Sequence, residues 1–173
     1  MPATLSTVKI HLNSVASTPK AKQMTLAIKD FYYGTPRKDF EYGHMALETI
    51  PDEIIKQHNL LKMCVNRKAF FEIQKGMPGL KQVGVIAHQG LSNRLELAEH
   101  KPCMNSPSLW KHTTLSISFT LVVDDLGAKH IETKLAQHLI DVLRNKYETS
   151  TDWAGKVILA WTLLGATTQT QDM

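Results

Sequence analysis

Apolar residues along the chain follow two different spacings, one typical of strands and the other typical of helices. Short runs rich in apolar, β-branched and aromatic residues predict strands at residues 24–28, 69–74, 116–123, 126–131 and 157–164. Apolar residues at three- and four-residue intervals predict amphipathic helices at 82–100 and 132–147. A short helical turn is predicted at 54–58, after Pro51.

The order of the main elements predicts the fold class. Strand, helix, strand, strand, helix, strand is the order of the ferredoxin-like split βαβ fold, an α+β architecture with an antiparallel sheet and two helices on one face. In this fold the first strand lies beside the hairpin formed by the middle two strands. With 173 residues, of which 43% are hydrophobic and 21% charged, the chain has the composition of one ordinary globular domain.

Two adjacent carboxylates, Asp124 and Asp125, lie at the bend of the predicted hairpin, where Gly127 supplies turn chemistry. Adjacent carboxylates repel each other and raise each other's pKa, so they are most stable beside a divalent cation or in water. The pair therefore indicates either a metal site or an exposed Asp-rich turn, in which Asp bonds to its own backbone.

Charge and cysteine content narrow the class of protein. The formal net charge of +4 and the sequence pI of about 9.0 permit a polyanionic partner, but they are low for a dedicated DNA-binding module. Cys64 and Cys103 have no CxxC spacing, so we expect neither a disulfide framework nor a zinc site. A reducing intracellular compartment, cytoplasmic or nuclear, fits this pattern. We expect neither secretion nor a membrane span, because the chain has no signal-peptide core and no run of about 18 apolar residues.

Other chemically capable residues are predicted to have structural roles. The eight histidines show no spacing that a metal site or a catalytic pair requires, so we expect them at exposed or helix-face positions. Lys129 and Lys134 could approach a leaving phosphate, but a solvated basic face is the simpler interpretation. The tryptophans are expected to be packing anchors, since each lies in or beside an apolar run; they are Trp110, Trp153 and Trp161.

The chain contains three segments in a characteristic order: MTLAIKDFYYGTP at 24–36, IQKGMPGLKQVG at 73–84 and LVVDD at 121–125. Together they resemble the palm of a reverse transcriptase of the copia-type retrotransposon class. The resemblance covers roughly residues 8–164, which implies a palm-like domain with partial fingers over 1–164. The polar tail, 165–173, is expected not to fold.

The resemblance implies RNA-directed DNA polymerisation with an RNA template, a DNA primer and deoxynucleotides. Two Mg²⁺ ions activate the 3′-hydroxyl and stabilise the leaving pyrophosphate when carboxylates from neighbouring strands bridge them. By resemblance Asp124 is the principal metal ligand of the hairpin, and Asp125 is its companion. The same resemblance assigns five residues to the nucleotide and template: Asp30, Tyr32, Lys75, Gly79 and Gln82. Tyr32 would exclude a ribose 2′-hydroxyl; alternatively it is a core aromatic.

The chain departs from the pattern at Ala27, which stands where the family carries its first catalytic aspartate. A methyl group cannot bind Mg²⁺, and Asp30 is an odd number of residues away, so an extended strand directs it to the opposite face. Losing a carboxylate worth several kcal/mol slows catalysis on the order of a thousandfold or more. Few residues precede the first segment to supply fingers. We therefore expect a retroelement-derived fragment with impaired catalysis.

Two other functions stay open. Non-catalytic RNA-binding modules share the split βαβ order and stack bases on sheet aromatics. Here the segment 66–73 offers a basic cluster followed by two aromatics, without the glycine and the spacing of that motif. The third possibility is a structural palm remnant without activity.

Overall fold

The computed structural model describes residues 3–80 and 82–155, which fall into two compact units. The first unit contains residues up to 31 and from 84 onward, and the second unit contains 32–83. The described helices are α1 (Leu5–Ser17), α2 (Asp52–Gln57), α3 (Leu60–Met63), α4 (Val83–Leu97) and α5 (Thr133–Arg144), with a 3₁₀ turn at Leu47–Thr49. The described strands are β1 (Lys22–Ile28), β2 (Pro36–Ala46), β3 (Lys68–Lys75), β4 (His100–Cys103), β5 (Ser106–His112), β6 (Ile117–Val122), β7 (Asp125–His130) and β8 (Thr149–Asp152).

The first unit is built on a six-stranded sheet with the order β4-β5-β6-β7-β1-β8. Every neighbouring pair in it is antiparallel. The prediction of an α+β fold with an antiparallel sheet is confirmed, and so is the position of the first strand beside the hairpin, since β1 pairs with β7. Strand β8 pairs with the other edge of β1, so β1 lies inside the sheet.

One face of this sheet forms the core. Strand alternation directs Met24, Leu26 and Ile28 of β1 to this face, and all three are buried. Helix α5 contacts β7 and β8 through a buried stripe that includes Leu139 and Leu143. Helix α4 lies beside α5, because residues of both helices line a common cleft. The two predicted amphipathic helices are therefore confirmed, with slightly shorter bounds.

The opposite face of the sheet carries α1, a helix that the apolar pattern does not predict. It contacts β1, β5, β6 and β7. His11 is buried in this contact, and its Nε2 lies 3.3 Å from the Ser118 hydroxyl. Lys129 of β7 donates to the hydroxyls of Ser14 and Thr18 at 2.6 and 2.7 Å. The prediction that Lys129 belongs to a solvated basic face is wrong, because α1 covers it; Lys134 is exposed.

Several other predictions are corrected by the fold. Gly127 lies within β7, paired with Thr25 and Thr120, and is not part of the turn. Trp110 is buried as predicted. Trp153 follows the end of β8 and is 45% exposed, and its ring meets the buried His130 ring edge to face with centroids 6.2 Å apart. The predicted strand 157–164, Trp161 and the predicted tail 165–173 lie outside the described residues.

The second unit contains the two-stranded antiparallel sheet of β2 and β3, with α2 and α3 between the strands in sequence. Its register pairs His44 with Phe70 and Met45 with Ala69, and it is irregular between Pro36 and Glu41. The predicted strand 69–74 and the helical turn near 54–58 are confirmed by β3 and α2. In the described part of the chain, no helix has both the length and the apolar character needed to cross a membrane.

The contact between α1 and the sheet predicts a pH-dependent stability. Burial, and to a smaller degree the charge of Lys129, lower the pKa of His11 from its usual 6.5 to about 4. The unfolded chain then binds the proton more tightly than the folded chain does. The free energy of unfolding is therefore highest above pH 6.5 and decreases as the pH falls towards 4. The expected loss is about 1.4 kcal/mol per pH unit across this window.

The measurement is urea unfolding of the original chain and of His11→Gln at several pH values between 4 and 7. The glutamine retains hydrogen-bonding capacity but does not titrate, so the slope of stability against pH should be shallower. His58→Gln, at an exposed position of the second unit, is the matched control for the substitution itself. Equal slopes for His11→Gln and the original chain would contradict the assignment.

Candidate functional site

The α1 face of the sheet carries a row of four paired positions next to the hairpin bend. Asp125 is paired with Val122 on one side and with Ala27 on the other, and Ala27 is paired with Ser150. We call Val122, Asp125, Ala27 and Ser150 the carboxylate row. Directly opposed residues of antiparallel strands project from the same face, so the Ala27 methyl group and the Asp125 carboxylate lie on one side of the sheet.

A shallow cavity of about 240 Å³ lies over this row. Its lining comes from β1, β6, β7 and β8, and it includes Thr25, Gly127 and Asp152, which form the next row of paired positions. Because Gly127 has no side chain, backbone contributes to the floor of the cavity beside Asp125. The cavity is small compared with typical small-molecule pockets of about 300–1,000 Å³, so it suits an ion or a small polar group.

The hairpin turn consists of two residues, Val123 and Asp124, because Val122 and Asp125 close it as a pair. Val123 has a φ of 60°, a left-handed conformation that is strained for a β-branched residue. The Asp124 carbonyl accepts a hydrogen bond of 2.9 Å from the Ile28 amide, which holds the turn against the end of β1. The predicted hairpin with two carboxylates at its bend is confirmed, and Asp125 is the one directly opposite Ala27.

A negative charge on Asp125 is unfavourable when its neighbour Asp124 is also charged. Burial, and secondarily the charge of Asp124, raise the pKa of Asp125 above its usual 3.8. Across the cavity, Asp152 uses Oδ1 to accept a 2.9 Å hydrogen bond from the Ala154 amide. Among the described residues, the hairpin carboxylates belong to no group of three metal-ligating side chains. The carboxylates that line the cavity therefore come from β7 and β8, as Asp125 and Asp152, and none comes from β1.

The other residues predicted by resemblance are divided between the two units. Asp30 lies in the first unit, just after β1, and has a φ of 49°. Tyr32, Lys75, Gly79 and Gln82 lie in the second unit.

Within the second unit, Tyr32 is half-buried and its carbonyl accepts a hydrogen bond from the Thr35 amide. Lys75 is exposed and paired with Pro36, and Gln82 is exposed. Gly79 has a φ of 95° with open space around it, so its conformation, not crowding, requires glycine. The roles of these residues stay predictions.

A second chemically capable cluster was missed by the sequence analysis. His100 of β4, His112 of β5 and His138 of α5 each offer a ring nitrogen within 4.8 Å of the others. His100 is fully buried, with neither ring nitrogen hydrogen-bonded to a described residue. We call these three residues the histidine cluster. The prediction that the histidines lie apart at exposed or helix-face positions is wrong for this cluster, because β4 and β5 pair His100 directly with His112.

Burial changes the titration of this cluster. It lowers the pKa of His100 to about 4, with the charges of His112 and His138 adding to the effect. Burial also lowers the pKa of His112, again with a contribution from His138. All three rings meet edge to face or tilted, with centroids 4.8 to 5.8 Å apart.

Comparisons with known proteins found no match: no protein-family model, no curated protein and no solved structure is similar to the chain.

The raised pKa of Asp125 predicts that this carboxylate destabilises the metal-free fold. A raised folded-state pKa means that the folded chain holds the proton more tightly, so the penalty is absent below about pH 3.8 and grows as the pH rises. Asp125→Asn should therefore increase the free energy of unfolding at pH 7, and the gain should shrink towards pH 4.

Chelator-treated protein and urea unfolding at both pH values measure this effect. Asp124→Asn is the matched control: it removes only the neighbouring charge, the smaller cause of the shift, so its gain at pH 7 should be smaller. A loss of stability in Asp125→Asn at pH 7 would mean that the folded chain stabilises the carboxylate, contrary to this account.

Proposed function

We propose that this chain is a copia-type reverse-transcriptase palm whose nucleotidyl-transfer centre has lost its first carboxylate. The observation that supports the proposal best is the pairing of Ala27 with Asp125 beside the hairpin bend. The family's first catalytic aspartate would stand at Ala27, and its hairpin acids at Asp124 and Asp125. Sequence resemblance alone chose these three positions. The strand register pairs two of them, Ala27 and Asp125, and the third, Asp124, lies in the adjoining turn.

The strand order gives independent support. Four adjacent strands of the sheet have the order β6-β7-β1-β8. Along the chain these four strands run β1, β6, β7, β8, so the first lies between the third and the fourth, as in a ferredoxin-like split βαβ sheet. The hairpin of β4 and β5 extends this sheet beyond β6. Helices α4 and α5, which connect the strands of the series, lie side by side. A palm assignment accounts for this arrangement and for the cavity beside the carboxylates.

The donor set fits one divalent cation better than two. Carboxylate oxygens of Asp124 and Asp125 are suitable ligands for Mg²⁺, which prefers oxygen donors. A two-metal centre also requires a carboxylate from the neighbouring strand to bridge the ions, and Ala27 provides only a methyl group. The residues present do not fit the complete two-ion site, so we propose binding without polymerisation.

The alternative of an RNA-binding module is less well supported by this face. Such modules stack bases on aromatic side chains of the sheet. The described residues that line the cavity include Thr25, Ala27, Asp125 and Ser150, and none of the lining residues is aromatic. An acidic, non-aromatic surface disfavours stacking and favours a cation.

Restoring the missing carboxylate should create a stronger cation site. We expect Ala27→Asp to bind Mg²⁺ or Mn²⁺ about tenfold more tightly or better than the original chain, because a third oxygen ligand then faces the pair. The gain should be lost in Ala27→Asp combined with Asp125→Asn. Isothermal calorimetry measures all three proteins. The original chain should show no primer extension with Mg²⁺.

Ser150→Asp is the matched control, because it adds the same charge to the same row but one strand further from Asp125. It should improve cation binding less than Ala27→Asp does. If Ala27→Asp binds no better than the original chain, or if its gain survives Asp125→Asn, Ala27 does not occupy the lost catalytic position and the palm proposal is wrong.

The net charge of +4 predicts weak, sequence-indifferent binding to nucleic acid. Such binding rests on phosphate contacts and releases counterions, so affinity should fall steeply as salt rises from about 50 to 200 mM. Fluorescence anisotropy with RNA and DNA oligonucleotides of several sequences measures it. Tight, sequence-selective RNA binding at physiological salt would favour the RNA-binding module instead.

A further inference from the structure

The histidine cluster has the composition of a transition-metal site, and it uses none of the residues of the carboxylate row. We propose that His100, His112 and His138 bind a single Zn²⁺ ion through one ring nitrogen each. This inference is independent of the proposed palm function. It requires only the pairing of β4 with β5 and the contact of α5 with the same face of the sheet.

The first support is the state of His100. Its side chain is fully buried, and neither Nδ1 nor Nε2 has a hydrogen-bond partner among the described residues. The Nδ1 atom of His138 is also buried without such a partner. Buried polar atoms are almost always satisfied, so unpaired ring nitrogens in two neighbouring histidines require an explanation. A shared cation would satisfy both residues.

The second support is geometric. The three ligand atoms lie within 4.8 Å of one another, whereas nitrogens around a tetrahedral zinc ion are about 3.3–3.4 Å apart for Zn–N bonds of about 2.0–2.1 Å. The ligand atoms must therefore move closer together by up to about 1.5 Å when the ion binds. The ligands come from two paired strands and a helix, so a backbone change within one element displaces only one of the three ligands.

The surroundings favour nitrogen-binding metals that can enter from solvent. His112 and His138 are only partly buried, so an ion reaches the cluster from their side. Three imidazoles leave a fourth position for water. Imidazole suits zinc, cobalt, nickel and copper, whereas Mg²⁺ requires oxygen ligands. The site should therefore discriminate against the cation expected at the carboxylate row.

His112 is the ligand that must rearrange. Its Nδ1 accepts hydrogen bonds from the amides of Thr114 and Leu115 at 3.2 and 3.1 Å, which orients the ring. A neutral imidazole that binds zinc through Nε2 carries its proton on Nδ1, so these amides must release it. Glu99, just before β4, accepts a 3.0 Å hydrogen bond from the Thr113 hydroxyl, and its charge acts on His112. Zinc binding should therefore alter residues 113–116.

The experiment uses the full chain after chelator treatment and dialysis. We titrate it with Co²⁺ as a spectroscopic substitute and then with Zn²⁺ by competition against a chromophoric chelator. We expect one Co²⁺ per chain with the intense visible absorption of tetrahedral coordination, which one equivalent of Zn²⁺ removes. Excess Mg²⁺ should leave the band unchanged.

Loss of a residue that only hydrogen-bonds to a metal ligand typically weakens metal binding by roughly 10–100-fold. His138→Gln removes a ligand itself, so it should weaken zinc binding by at least as much. His112→Gln should do the same, and it tests the cluster if the helix variant does not fold. His58→Gln, in the second unit, is the matched control and should bind zinc as the original chain does. Circular dichroism establishes that each variant is folded.

Absence of a stoichiometric Co²⁺ band in the folded original chain would overturn the proposal. Binding that persists undiminished in both His138→Gln and His112→Gln would also overturn it, because the ion would then be held elsewhere. Loss of the band in Asp125→Asn alone would assign the metal to the carboxylate row instead. None of these results depends on Ala27, so they are distinguishable from failure of the palm proposal.

Discussion

The pairing of β1 with β7 is the constraint on which the first unit depends. It aligns six consecutive positions, from Lys22 opposite His130 to Ala27 opposite Asp125. Because side chains alternate along a strand, this register directs Leu26 to the helix-covered core and Ala27 to the other face. A slip by one residue would exchange the two faces, placing the carboxylate in the core and the leucine outside. The buried face therefore fixes the geometry of the carboxylate row.

The same register explains why a small apolar residue at position 27 is compatible with a stable metal-free fold. Asp125 is already partly desolvated and lies beside Asp124, which raises its pKa. A third carboxylate on this row would add like-charge repulsion that only a bound cation could offset. Without a bound cation, the fold should therefore be more stable with alanine at position 27 than with aspartate.

The parts of the fold that the sequence could predict are those with strong apolar periodicity. Strands β1, β6 and β7 and helix α5 direct aliphatic residues into the core, so their pattern is clear. Helix α1 contacts the sheet partly through His11, and β5 places Ser108, Trp110 and His112 on alternate positions, so neither shows an aliphatic pattern. Strand β8 is polar, so apolar periodicity does not predict it either. The histidine cluster could not be predicted, because its spacing is meaningful only once β4 and β5 are known to pair.

The central position of β1 also governs how the chain can acquire its structure. Strand β1 is made before both of its partners, which lie about a hundred residues or more further along the chain. During synthesis its apolar side chains and both hydrogen-bonding edges stay without native partners until β7 and β8 have emerged. Such non-local pairing raises contact order, which slows folding and prolongs exposure to intermolecular strand pairing. A truncated product ending before Thr149 would retain one open edge on β1, whose alternate residues Met24, Leu26 and Ile28 are apolar, so such chains should be far more prone to aggregate than chains that include β8.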